Sequence, residues 1–152
     1  MTEFYLAEQW LPVVGFEGLY EVSDQGRVRS VDRIIQIKNH PKQKERLLRG
    51  KILYQKINRP AGHGYERSHV ALWKENEEYT KKVARLVAEA FLPNPNNFPF
   101  VLHLNDDATD NRASNLEWGD HLENVRQAVE RNRYPLAEMH HNYVHGRYAK
   151  NR

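Results

Sequence analysis

Residues 83–128 read VARLVAEAFLPNPNNFPFVLHLNDDATDNRASNLEWGDHLENVRQA, and their pattern decides the fold. Val83, Leu86, Val87, Ala90 and Phe91 recur at three- and four-residue spacing, which predicts a helix over Lys82–Phe91 with one apolar face. Pro93 and Pro95 end it. Phe98–Leu104 is a short apolar run, and Asn115–Trp118 is short enough and apolar enough to pair back on it as a strand. Between them, NDDATDNRAS is a polar loop of residues that bond to their own backbone. Asp120 is placed to cap a second helix reaching about Arg131, and Glu123 three residues later completes a capping box. The order strand, polar loop, strand, helix sets His103 at a strand end and Asn124 early in the following helix.

Working outward, residues 10–31 alternate in character. Tyr20 and Val22 flank Glu21, Ser23–Gly26 is a turn, and residues 27–31 alternate again, so a small antiparallel hairpin is expected. Residues 33–80 are less regular. Lys51–Asn58 and Ser68–Trp73 read as strands, NRPAGHGYER as a loop, and residues 74–80 as a polar turn. From Asn132 the tail has no clear period. Its His140, His141 and His145 read as incidental rather than as metal ligands, because nothing around them resembles the supporting groups such ligands need.

Charge is unevenly distributed. Residues 1–32 carry two basic and six acidic side chains, net −4, whereas residues 33–67 carry ten basic and two acidic, net +8. Residues 68–152 hold eleven basic and twelve acidic, net −1. A basic block of this kind, interleaved with Tyr54, Gly62, Gly64 and Tyr65, is the footprint of a phosphate-backbone binder. No run approaches the ~18–20 apolar residues that span a bilayer, so no membrane partner is expected. The N-terminus lacks a basic region followed by an apolar stretch, so no signal peptide is expected either. The absence of cysteine excludes disulfides and thiolate zinc sites, and fits a reducing compartment.

Two stretches carry a family resemblance. W-x-P-V-x-G-F-E-G-x-Y-E-V-S-x-x-G-x-V-R-S, from Trp10 to Ser30, resembles the small module that precedes the nuclease domain in phage and intron-encoded HNH endonucleases. Residues 83–128, with RLVAEAFLPNPNN, then His103, then TDNRASNLEW and ENVRQA, resemble the HNH homing-endonuclease unit itself. The fold implied is α+β: a small N-terminal antiparallel β module followed by a ββα-metal nuclease domain. The segments are 1–32 for the module, 33–80 for a basic DNA-contacting β/loop segment, 81–131 for the HNH domain and 132–152 for the tail.

The resemblance implies a hydrolase of DNA phosphodiester bonds that nicks duplex DNA. His103 matches the general base, Asn115 the asparagine that orients that histidine or braces the hairpin, and Asn124 a metal ligand. One divalent ion, Mg²⁺ or Mn²⁺, is implied, because amide and carboxylate oxygens suit these cations. His121, three residues before Asn124, shares its helix face, and Asp106 is a further candidate ligand. Arg27 and Arg29 are implied phosphate contacts. Lys42, Lys44, Arg46, Arg49, Lys51, Lys56, Arg59, Arg67, Arg85 and Arg112 complete the expected DNA-binding set. The partner is then double-stranded DNA, the protein a monomer, and the setting the cytoplasm of a bacterial host of a phage.

Three positions depart from the family pattern. Leu102 stands where the residue before the catalytic histidine supplies the other metal ligand, and a leucine cannot bind a cation. Ala84 replaces a histidine at the start of the first helix. Asp106 occupies a turn position normally given to glycine, and aspartate tolerates the left-handed region better than most residues. The alternative is therefore a catalytically impaired relative that binds DNA, or a protein partner, as a regulator or inhibitor.

Overall fold

The computed structural model describes residues 7–38, 42, 44–58 and 66–131. Trp10–Pro12 (β1), Tyr20–Ser23 (β2) and Val28–Ser30 (β3) form an antiparallel sheet with β2 in the middle. Alternation puts Tyr20 and Val22 on the inner face, where both are buried. The expected hairpin is present, and its turn closes at Gly26 with φ +81°.

Arg33–Gln36 (β4) and Glu45–Leu48 (β5) make a separate two-stranded ribbon. Ile34 lies directly opposite Leu47 on it, and both are exposed. Lys56–Asn58 (β6), Arg67–Lys74 (β7) and Glu77–Lys82 (β8) form a second three-stranded sheet. Two expectations are corrected here. The stretch expected to be a strand over Lys51–Asn58 splits: Leu53 donates its N–H to Val28 O at 2.8 Å, whereas Lys56–Asn58 pairs with β7. The chain changes sheets between them. The residues expected to form a polar turn at 74–80 turn only at Glu75 and Asn76, with φ of 54° and 66°, and then form β8. Charged residues dominate β8 because it is an edge strand whose outer face meets solvent. Tyr79 is its inward-packing residue.

Val83–Phe91 (α1) is the expected helix, and it buries Val83, Leu86, Val87 and Ala88. Each large aliphatic side chain so placed contributes roughly 1.5–3 kcal/mol. Phe100–His103 (β9) pairs with Leu116–Gly119 (β10), with His103 opposite Leu116. A 3₁₀ turn, Ala113–Asn115, leads into β10. His121–Glu130 (α2) begins at Asp120, whose Oδ1 accepts from Glu123 N–H at 2.7 Å. The Glu123 carboxylate is taken up by Arg126 and Gln127.

One core joins these pieces. Val13, Phe16, Tyr20, Val22 and Val28 from the first sheet pack with Val70 and Leu72 of β7, Val83, Leu86 and Val87 of α1, and Leu116 of β10. Three of the four sequence segments thus share a single packed interior. Tyr20 stitches two of them together: its hydroxyl accepts from Trp73 N–H at 2.9 Å and donates to Trp73 O at 3.3 Å. No helix among the described residues is long and apolar enough to cross a membrane.

Candidate active site

A cleft of about 280 Å³ opens between β9, α2 and the loop joining β9 to β10. His103, Asn111, Asn124 and Gln127 line it, with Arg67, Lys82 and Arg85 supplying positive charge at its wall. His103 is partly buried at the end of β9, and its Nε2 lies 3.1 Å from Asn111 Oδ1. The Asn111 amide is itself oriented, because its Nδ2 donates to Thr109 O at 3.2 Å. Its Oδ1 is therefore the acceptor and His103 Nε2 the donor, so in the neutral ring the lone pair sits on Nδ1. Burial pushes the His103 ring below the ordinary histidine value, against the opposing pull of the Asn111 bond. A neutral imidazole with a fixed tautomer is what proton abstraction near pH 7 needs.

Asn115, also buried, does a different job. Its Nδ2 donates to Asn105 Oδ1 at 2.9 Å and to Asp110 O at 2.8 Å, and its Oδ1 accepts from Asn105 N–H at 3.0 Å. These bonds brace the loop, and the side chain that bonds the histidine ring is Asn111. Asp110, bonded by Arg112 at 2.7 and 2.8 Å, has its pKa lowered to about 2. Asp106 takes φ +64°, as its turn position requires, and lies 3.6 Å from Arg131 Nη1. Arg131 also donates to His103 O and Leu104 O, each at 3.0 Å, and so ties the end of α2 to the end of β9.

Residues 8–67 match the NUMOD4 motif. Over 139 residues, 87% of the chain, it is 36% identical to the uncharacterized HNH endonuclease L247 of Acanthamoeba polyphaga mimivirus. It is 28% identical over 124 residues to a second such protein of that virus, L245. The chain is similar to proteins named HNH endonucleases. It spans 29% and 31% of the lengths of those two proteins. Both come from a virus named for an amoeba, so they do not point to the bacteriophage source expected above. Its fold matches that of the HNH homing endonuclease I-HmuI, a structure that concerns DNA binding and cleavage, with a TM-score of 0.63. That match has 24% identity and covers 86% of this chain and 63% of I-HmuI.

Away from His103 and its loop, the cleft is lined differently. Leu102 is buried at 6% exposure, and its Cδ1 would lie 2.5 Å from a Cβ added at Gly119. The position that the resemblance gives to a strand-side ligand is thus filled by a packed apolar side chain. Asn124 lines the cleft on the helix side. His121 is exposed in the first turn of α2, its ring 6.1 Å from that of Phe100, and it is not among the cleft residues. Among the described residues, no three His, Cys, Asp or Glu side chains are grouped to hold a metal ion. The donors among the described residues therefore do not fit the two-sided ligand set that the resemblance implies.

The cations expected to meet DNA divide into three groups. Arg67 and Arg85 reach the cleft, and so does Lys82, which the sequence did not single out. Arg85 is anchored by Glu89 and Pro99 O, each at 2.7 Å, with its guanidinium 4.7 Å from the Trp118 ring centroid. Arg27 and Arg29 share a face over Trp10, but each already has a carboxylate partner, Glu8 and Glu21 respectively. Arg49 and Arg112 are likewise paired, with Asp32 and Asp110. A phosphate at any of these four must compete with a resident carboxylate. Lys42, Lys44, Arg46, Lys51 and Lys56 are exposed on the basic segment. Arg59 and the tail histidines lie outside the described residues.

Asn111 and Arg131 also went unnoticed in the sequence. Asn111 is one of many polar residues in NDDATDNRAS, and only the course of the loop distinguishes it. A usable signal for Arg131 existed, since a basic residue at a helix C-terminus commonly bonds nearby carbonyls.

Proposed function

We propose that the chain is an HNH-type DNA endonuclease that nicks duplex DNA, with His103 as general base. The observation that carries this reading is the His103–Asn111 bond, which leaves a neutral ring with its lone pair on Nδ1. In the proposed step, His103 Nδ1 takes a proton from water as the water oxygen attacks phosphorus. The P–O3′ bond breaks, and the leaving oxygen is protonated from solvent. Arg67, Lys82 and Arg85 hold the phosphate and offset its charge in the cleft. Asn115 keeps the loop in the shape that presents Asn111 to the ring.

A second reading is favoured by Leu102. With a buried leucine at the strand-side position, the chain is an impaired HNH relative that binds DNA, or a protein partner, and regulates rather than cuts. Relaxation of supercoiled plasmid in Mg²⁺ and in Mn²⁺ separates the two. The nuclease reading expects nicking by the wild type that His103→Ala abolishes, and nicking that persists in His103→Ala would remove the assigned base. The regulator reading expects salt-sensitive DNA affinity without nicking in either metal, with nicking appearing in Leu102→Asp.

A further inference from the structure

The turn that closes the first hairpin touches the loop that holds the histidine. A Cβ placed on Gly26 would sit 3.0 Å from both the Cβ and the backbone oxygen of Asn111. Two residues further along that loop, Ala113 donates its N–H to Asp24 O at 2.8 Å. The turn is itself held in place. Ser23 is fully buried, its Oγ accepts from Arg27 N–H at 2.9 Å, and Gly26 N–H donates to Ser23 O at 3.1 Å. From the other direction, Gln55 Nε2 donates to Gly26 O at 2.6 Å. An unbroken series of contacts thus runs from Gln55 through Gly26 and Asn111 to His103 Nε2.

We infer that the Ser23–Gly26 turn is a positioning element of the active site, holding Asn111 so that its Oδ1 sets the ring plane and tautomer of His103. A side-chain amide in a polar loop has several rotamers of similar energy. Close packing of its Cβ and backbone against the turn removes most of that freedom, as preorganised sites require. Glycine is needed at position 26 on two counts: the positive φ of +81°, and the absence of room for a Cβ. The N-terminal module therefore completes the histidine half of the HNH unit, whatever it contacts on DNA. The inference rests on His103 as the working base, but its readout is the ring itself and needs no cleavage.

The test is ¹⁵N NMR of the His103 ring, with amide exchange at Ala113, in the full chain. Wild type is expected to show one neutral tautomer, protonated on Nε2. Gly26→Ala is expected to mix the tautomers and speed Ala113 exchange by about tenfold or more, as a locally opened segment does. Gly18→Ala is the control, because Gly18 also has positive φ, +75°, yet nothing lies within 4 Å of a Cβ there. It carries similar backbone strain and should leave the His103 signals unchanged. Equal changes in the two variants, no change in either, or a wild-type ring protonated on Nδ1 would overturn the inference. If Gly26→Ala does not fold, Gln55→Ala decides: a changed His103 pattern supports the positioning role and an unchanged one overturns it.

Discussion

The two walls of the cleft are held by different forces. On the loop wall, His103, Asn111, Thr109, Asn115, Asn105 and Asp110 are linked by hydrogen bonds of 2.8 to 3.2 Å. On the facing wall, Leu102 is packed at the Gly119 backbone, and Gln127 is occupied by Glu117 and Glu123 at 2.8 and 3.1 Å. The difference teaches that the two halves tolerate change unequally. A leucine suits position 102, since its aliphatic side chain packs at Gly119 and gains burial. A loop asparagine has no such substitute, because removing it leaves part-buried donors and acceptors without their partner.

The largest effect is expected from the loop wall's working end. His103→Ala should lower plasmid nicking by about 10²- to 10⁴-fold, the usual worth of a positioned general base. Circular dichroism should show the fold retained. A residual rate close to wild type would erase the functional distinction between the walls.

Next, Asn115→Ala should destabilise the chain by about 2–3 kcal/mol, because it leaves Asn105 N–H and Asp110 O without their partner. Urea unfolding measures this. A loss below about 0.5 kcal/mol would mean that water replaces the bracing bonds.

Leu102→Asp tests the other wall. It should raise Mg²⁺- or Mn²⁺-dependent nicking on the order of tenfold or more, while lowering stability through the buried carboxylate. Metal titration followed by thermal melting is a second readout: the variant, unlike wild type, should be stabilised by the ion. An aspartate that changes neither would show that Leu102 is not the missing ligand.

The histidine's titration gives a smaller effect. Burial lowers its folded pKa below the unfolded value near 6.5, so the folded state binds fewer protons than the unfolded state between the two values. The associated stability is present above pH 6.5 and declines as pH falls towards the folded pKa. Wild type should lose more stability than His103→Gln as the pH falls below about 6.5, and the acid limb of any nicking profile should lie below about 6.5. Parallel pH curves for the two proteins would contradict the burial argument.

The smallest effect is expected at the edge of the loop. Arg112→Ala removes a largely exposed pair with Asp110 and should cost less than about 1 kcal/mol. It should also raise the Asp110 pKa from about 2, which carboxylate NMR would detect.

Much of this was legible in residue order. The period of Val83, Leu86 and Val87, the Asp120 cap and the hairpin at Gly26 follow from local chemistry, the left-handed turn at Asp106 from the family resemblance, and all four are present. Charge misled in one place. Glu77–Lys82 reads as solvated turn because four of its six residues are charged, yet an edge strand needs only one inward face, and Tyr79 supplies it. The β4–β5 ribbon went unread because Ile34 and Leu47 are apolar but exposed, so neither periodicity nor burial marks them.

Sequence alone determined the order of residue types at the site: a leucine and a histidine at a strand end, and an amide on the next helix. Such identities follow from local spacing, which carries strand, loop and helix in register. Tertiary structure decided which of several asparagines meets the imidazole, that Leu102 is packed rather than displayed, and that the hairpin turn of the N-terminal module abuts Asn111. Those facts depend on contacts between residues 8 to 85 positions apart in the chain, where the loop's course and the shared core, not local propensity, choose the neighbour.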